Sequence, residues 1–157
     1  MAKVSIYLNF QGKTEEAFNF YKSVFKTDWV GPMMRMKDIP PQPGMPPLSE
    51  KDANSVMHVS LPILGGTNIM GTDMLESMGQ KLIEGNNVTI SLEPDTKEEA
   101  DRLFNALSQG GSDLAPMRQE FWGGVAVKTD SVYDGCLMFP IHSNNPFPKY
   151  TNKSPLK

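Results

Sequence analysis

The stretch "SVMHVSL", Ser55 to Leu61, sets a histidine inside a run that alternates like a β-strand. An imidazole can ligate a metal, accept a proton near neutral pH, or hydrogen-bond on two sides, so His58 is the first residue to weigh for chemistry. Met57, Val59 and Leu61 make one oily face, which leaves His58 on the other with Val56 and Ser60. Its expected polar companions are Tyr7, Asn9, Asn68, Thr89, Ser91 and Asp73. Three roles stay open for it: contact with a bound molecule or action as a catalytic base, ligation of a metal, or a half-buried strand position satisfied by a neighbouring hydroxyl. His142, the other histidine, leads into the polar tail "SNNPFPKYTNKSPLK" and reads as solvated. In "EFWGG", Phe121 and Trp122 offer either a stacking wall for a planar ligand or filling for a seam between halves or subunits. Arg35 and Arg118 would neutralise an anionic substrate or pair with a surface carboxylate. The single cysteine, Cys136, excludes an intrachain disulfide and a cysteine-rich zinc site, and reads as a small buried strand residue.

These residues need elements to hold them. "VSIYLNF" alternates Val4, Ile6, Leu8 and Phe10 against Ser5, Tyr7 and Asn9, the pattern of a strand with one oily and one polar face. After a turn at Gln11 and Gly12, Thr14 is placed to cap a helix that carries Glu15 and Glu16 in its first turn. Ala17, Phe18, Tyr21, Val24 and Phe25 form its apolar stripe. "DWVGPMMRM" is expected as a strand, and residues 37–54, with five prolines, as a surface loop. "SVMHVSLPILGGTNIMGTD" reads as two strands joined at Gly65 and Gly66.

The same order then repeats. "NNVTISL" alternates as the first strand does, and "DTKEEADRLFNALSQGG" has Thr96 and Glu99 at capping-box spacing with a stripe of Ala100, Leu103, Phe104 and Leu107. "LAPMRQEFWGG", "GVAVKTD" and "DGCLMFPIH" supply three more strands. "TEEAFNFYKSVF" echoes "KEEADRLFNALS", with "GPM" and "APM" following at similar distances. The reading is an α+β chain of two βαβββ modules, whose polar sheet faces would curve around a shared cup. It forms a single domain over 1–142, with module one at about 1–80, module two at about 85–142, and a tail at 143–157.

A chain of 157 residues, 39% hydrophobic, buries one good core. A net charge of −3 gives no basic field for nucleic acid or an anionic membrane. There is no run of eighteen or more apolar residues, and "MAKVSIYLNF" lacks the regions of a signal peptide, so the expected place is the cytoplasm.

The two modules, "YLNFQGKTEEAFNFYKSVF", "MHVSL", "KEEADRLFNALSQGG" and "EFWGG" resemble the PhnB-like branch of the vicinal oxygen chelate superfamily, the glyoxalase and bleomycin-resistance proteins, over roughly residues 3–142. Members of this branch are often labelled demethylubiquinone methyltransferase-like. The resemblance implies a glyoxalase-like fold, a homodimer, and metal slots on the first and fourth strands of each module. Aligned on this chain, those slots fall at Ser5 and Asn87, near Met70, and at Met138 or Phe139. None is a strong donor for zinc, nickel or iron. The resemblance therefore implies a small-molecule binding protein with no cofactor, and a ligand site drawn from Tyr7, Asn9, His58, Ser60, Asn68, Met70, Asp73, Thr89, Phe121 and Trp122. The alternative is a lyase, dioxygenase or antibiotic-modifying enzyme with an atypical site around His58, using a divalent metal held by residues such as Asp73 or none at all. A third reading makes residues 37–54 the contact arm of a regulatory partner protein. The sequence reads against a Rossmann methyltransferase, since the first strand-to-helix turn, "FQGKTEEA", holds one glycine and half the strands follow one another without helices. With no G-x-S-x-G elbow, it also reads against a nucleophilic hydrolase.

Overall fold

The computed structural model describes residues 2, 4–40, 43–44, 47–83 and 90–109, together with the backbone of 115–119, 125–130 and 136–138. The chain divides into two compact units, Met1–Glu84 and Gly85–Lys157. In the first, strand β1 (Ile6–Phe10) leads through a turn in which Gly12 takes a φ of 72° to helix α1 (Thr14–Phe25). Strand β2 (Met34–Arg35), the short helix α2 (Glu50–Asn54), strand β3 (Val56–Pro62) and strand β4 (Asn68–Asp73) follow. The sheet runs in the order β1-β4-β3-β2, with β1 parallel to β4 and the other pairs antiparallel.

Helix α1 covers one face of this sheet. Its buried residues are Thr14, Ala17, Phe18, Tyr21 and Val24, and they meet a sheet face that buries Phe10, Val59, Leu61 and Ile69. Phe18 packs edge-on against Phe10, with ring centroids 6.2 Å apart, and against Tyr21 at 5.9 Å. Gly71 is what lets the helix sit so close. A Cβ added there would lie 2.8 Å from Phe18 Cζ and 3.2 Å from Thr14 Cγ2. Burial of Phe18 and Leu61, both 0% exposed, contributes roughly 1.5–3 kcal/mol each before chain entropy is set against it.

Three local expectations are corrected. Thr14 is not the cap of α1 but its first residue: its backbone N–H and hydroxyl both donate to Asp73 Oδ1, at 3.2 and 2.7 Å. A carboxylate from β4 thus satisfies a helix N-terminus that the local sequence leaves open, where negative charge is favourable. The strand expected over "DWVGPMMRM" shrinks to Met34–Arg35, because Gly31 takes a φ of 83° and Pro32 has no N–H to give a ladder. The Val30 N–H to the Ser60 carbonyl, 2.9 Å, and the Thr27 hydroxyl to the Pro62 carbonyl, 2.9 Å, tie the preceding segment to β3. Within the proline-rich stretch, Ser49 accepts from Asp52 N–H at 3.1 Å and caps α2.

The second unit repeats the scheme. Strand β5 (Ile90–Ser91), helix α3 (Lys97–Leu107) and strands β6 (Ala115–Gln119), β7 (Val125–Asp130) and β8 (Cys136–Met138) form a sheet in the order β5-β8-β7-β6, with β5 parallel to β8. Thr96 caps α3 by accepting from Glu99 N–H at 3.2 Å, as the capping-box spacing predicts. The Glu99 carboxylate engages Arg102 through two oxygens, at 2.7 and 2.6 Å. Ala100, Leu103 and Leu107 are buried, and Phe104 is half-buried. Both modules also carry a register irregularity on the strand after the helix, at Met34/Arg35 and at Ala115/Arg118. The fold is α+β: two βαβββ modules, each built on a four-stranded mixed sheet.

Candidate functional site

The face of the first sheet turned away from α1 collects the polar residues of its strands. Leu8 pairs with Gly71, where an added Cβ would meet Phe18 of α1, so the alternate residues of both strands point to the other face. Tyr7 pairs with Met70, and Met70 with Ser60, so these three share one row across β1, β4 and β3. Asn9 pairs with Thr72, and His58 with Met34, which fills the next row. His58 is half-buried, Ser60 is buried, and Tyr7 is 44% exposed.

The structure joins two of these residues directly. Tyr7 Oη lies 3.2 Å from His58 Nδ1, with ring centroids 5.9 Å apart at a tilt of 40°. Burial pushes the Tyr7 phenol above its ordinary value, with the Thr72 hydrogen bond working in the opposite direction. The phenol is therefore protonated at neutral pH. Neither Met34 nor Thr72 was expected at the site, although Thr72 could have been found from the alternation of β4, which puts it on the face of Asn68 and Met70.

Asp73 does not belong with them. It lies on the helix side at 5% exposure, and besides Thr14 its carboxylate accepts from Val56 N–H at 2.8 Å. The reason is parity: Asn68 and Asp73 stand an odd number of positions apart on one strand, so they cannot share a face. Arg35 is likewise engaged elsewhere. It donates to both Glu15 oxygens at 2.9 Å and to the Asn54 carbonyl at 2.7 Å, so it pairs with a surface carboxylate. Asn68 is placed on the open face with Met70. Thr89, Phe121, Trp122, Asn87, Phe139 and His142 lie outside the described residues, and Arg118 and Met138 are described in backbone only.

The registers also relate the two modules position by position. Tyr7 pairs with Met70 on β4, and Ser91 with Met138 on β8. Ser60 pairs with Met70, and Lys128 with Met138. With Met70 set against Met138, Tyr7 matches Ser91; the match of Ser5 with Asn87 rests on a residue outside the described ones. The second module reaches its helix one residue sooner, from Ser91 to Lys97 instead of Tyr7 to Thr14. By the same registers, the equivalent of His58 is Ala126.

As for a metal, Ser5 offers a hydroxyl and Met70 a thioether, and no group of three or more His, Cys, Asp or Glu comes together among the described residues. That donor set does not fit zinc, nickel or iron.

Paired βαβββ modules are the build of the glyoxalase and bleomycin-resistance proteins, and solved structures agree. A glyoxylase/bleomycin resistance protein/dioxygenase domain from Frankia sp. EAN1pec superposes with a TM-score of 0.61 at 11% identity, covering 92% of this chain and 94% of that one. Nearer in sequence is protein PA1353 from Pseudomonas aeruginosa, with a TM-score of 0.75 and 28% identity over 90% of this chain and 98% of that one. A putative 3-demethylubiquinone-9 3-methyltransferase, PhnB protein, from Bacillus cereus gives 0.67 and 22%, covering 90% of this chain and all (100%) of that one. The chain belongs to the family described as 3-demethylubiquinone-9 3-methyltransferase, whose model matches residues 2–125. No curated protein matches it. The described sheets are mixed, with three successive strands in each module, unlike the parallel, helix-alternating sheet of Rossmann methyltransferases.

Proposed function

We propose that this protein binds a small molecule on the open face of its first sheet, without a resident metal ion. The observation that carries this reading is the Tyr7–His58 pair, two partly exposed rings whose Oη and Nδ1 atoms lie 3.2 Å apart on the face of the sheet opposite helix α1. Met34 and Met70 flank the pair in the strand registers and offer soft, adaptable apolar contact. Small-molecule sites combine such apolar contact with a few placed polar groups. Metal-dependent catalysis is less well supported, because Ser5 and Met70 are weak donors. The Mn(II) complex of a fosfomycin resistance protein from Listeria monocytogenes, at 12% identity, shares the fold only.

A screen for thermal stabilisation tests the proposal. A molecule present at a hundred times its Kd should stabilise the protein by about 2.7 kcal/mol, and His58→Ala should remove that gain while leaving the protein folded. Retained affinity in folded His58→Ala protein would take His58 out of the site. We further propose that the protein forms a homodimer. Val4, Val30 and Ile83, at 89%, 54% and 84% exposure, provide apolar surface for such a contact. Sedimentation at a monomer mass across the micromolar range would remove this second proposal.

A further inference from the structure

The registers of the second sheet put all the charged residues of its strands, Arg118, Lys128 and Asp130, on one face. Ser91 pairs with Met138, Met138 with Lys128 and Lys128 with Ala115, which makes one row across β5, β8, β7 and β6. Ala126 and Asp130 stand two positions to either side of Lys128 on β7 and share its face, and Arg118 pairs with Ala126. Ser91 is exposed while the next residue, Leu92, is 3% exposed, so this face is turned away from the core of the module.

The βαβββ design does not require that charge. With Met70 set against Met138, the first module carries Met34, Ser60 and His58 where the second carries Arg118, Lys128 and Ala126. Where the first module sets an imidazole, the second sets a methyl group, beside an arginine across the ladder and a lysine along the strand. Arg118 and Lys128 are diagonal neighbours, positions roughly 7–8 Å apart, at which like charges repel. Asp130 lies past Lys128, roughly 13 Å of strand from Ala126, so it offsets Lys128 and leaves Arg118 without a counter-charge on these strands. The register irregularity between Ala115 and Arg118 falls at the same point, and bulges are enriched next to functional sites, where they re-aim a side chain.

We infer that Arg118 and Lys128, next to Ala126 on the coreless face of the second sheet, form a site for the carboxylate of a small organic acid. Two cations and one anion leave this face one positive charge, which matches a single carboxylate, and the planar fork of an arginine suits its two oxygens. The same rows contribute Ala115, Ala126 and Met138, apolar residues suited to the body of the acid. The site belongs to the second module and does not depend on the open face of the first.

Titration of the full chain with 4-methylbenzoate, followed through methionine-methyl NMR, tests the site. Met138 reports on this face and Met70 on its counterpart, each assigned by substitution with Leu. The benzoate should move the Met138 methyl, while 4-methylbenzamide, a neutral molecule of the same shape, and inorganic phosphate should bind weaker. Arg118→Met and Lys128→Ser install the residues that the first module carries at these positions, and Arg118→Met should weaken the benzoate by roughly ten-fold or more through loss of a charge-assisted pair. Arg118→Lys, which keeps the charge without the fork, should also weaken it and serves if Arg118→Met does not fold. Ala126→Leu should block binding with the charges intact. An unmoved Met138 methyl overturns the inference, as does equal binding of the benzamide, affinity unchanged in Arg118→Met and Lys128→Ser or in Ala126→Leu, or tighter binding of phosphate than of the benzoate. A benzoate that moves Met70 and leaves Met138 unmoved places the acid on the first face, which overturns this inference and leaves the proposed function standing.

Discussion

Asp73 carries more of the first module than one carboxylate ordinarily does. Its two oxygens accept from Thr14 N–H, the Thr14 hydroxyl and Val56 N–H at 5% exposure, so it joins the start of α1 to the start of β3. Removing it strands three buried donors. Asp73→Ala should therefore lower stability by about 2–4 kcal/mol in denaturant melts, since each unsatisfied buried group costs on the order of 1–3 kcal/mol before the site relaxes. His58→Ala, which strands only the part-exposed Tyr7 hydroxyl, should stay within about 1 kcal/mol of the wild type. Equal melting of Asp73→Ala and the wild type would show that the clamp contributes nothing. His58 and Tyr7 were legible as a polar strand face from alternation alone, and their mutual contact was not. It depends on how β1 and β3 flank β4, which separates the two residues by 51 positions in the chain.

Helix-to-sheet packing turns on a single missing side chain. Gly71 lies under Phe18, and Gly71→Ala must displace that ring or lift α1, at a cost of roughly 1–3 kcal/mol from overpacking. A melting curve that matches the wild type would mean that the ring moves freely. In the second module, Thr96→Ala should cost about 1 kcal/mol by removing the cap of α3. The two helix starts explain why local rules succeeded at one and failed at the other. Thr96 and Glu99 lie within one turn, so their bond is written in adjacent sequence. The donors at Thr14 find their acceptor 59 residues away, where no window of local sequence reaches. The expected strand over residues 28–36 shortened for a local reason that was visible, the Gly31–Pro32 pair.

The described cores are built mainly from buried aromatic and aliphatic side chains, with Thr14, Ser60 and Asp73 the buried polar residues among those described. Exposure to a strong chelator should leave the melting temperature unchanged, whereas a fall, with stoichiometric metal found by mass spectrometry, would replace the proposed function with a metal-dependent one. No helix among the described residues is long and apolar enough to cross a membrane. Membership of the family described as a methyltransferase does not bring the parallel Rossmann sheet with it, because the sheet orders β1-β4-β3-β2 and β5-β8-β7-β6 belong to the βαβββ design.

Periodicity and repetition in the chain determined the α+β class, the two βαβββ passes and the helix faces, because each is a property of residues a few positions apart. They also determined which face of β3 holds His58. The partner of each strand, the register, and so the neighbours of each side chain were decided only by the tertiary structure. Pairing brings together segments that no local pattern links, such as Tyr7 with His58 and Thr14 with Asp73. The same pairing engages Asp73 and Arg35 in structural contacts, and strands β1–β4 carry no other charged side chain. Charges are placed by their partners, and partners are set by the fold.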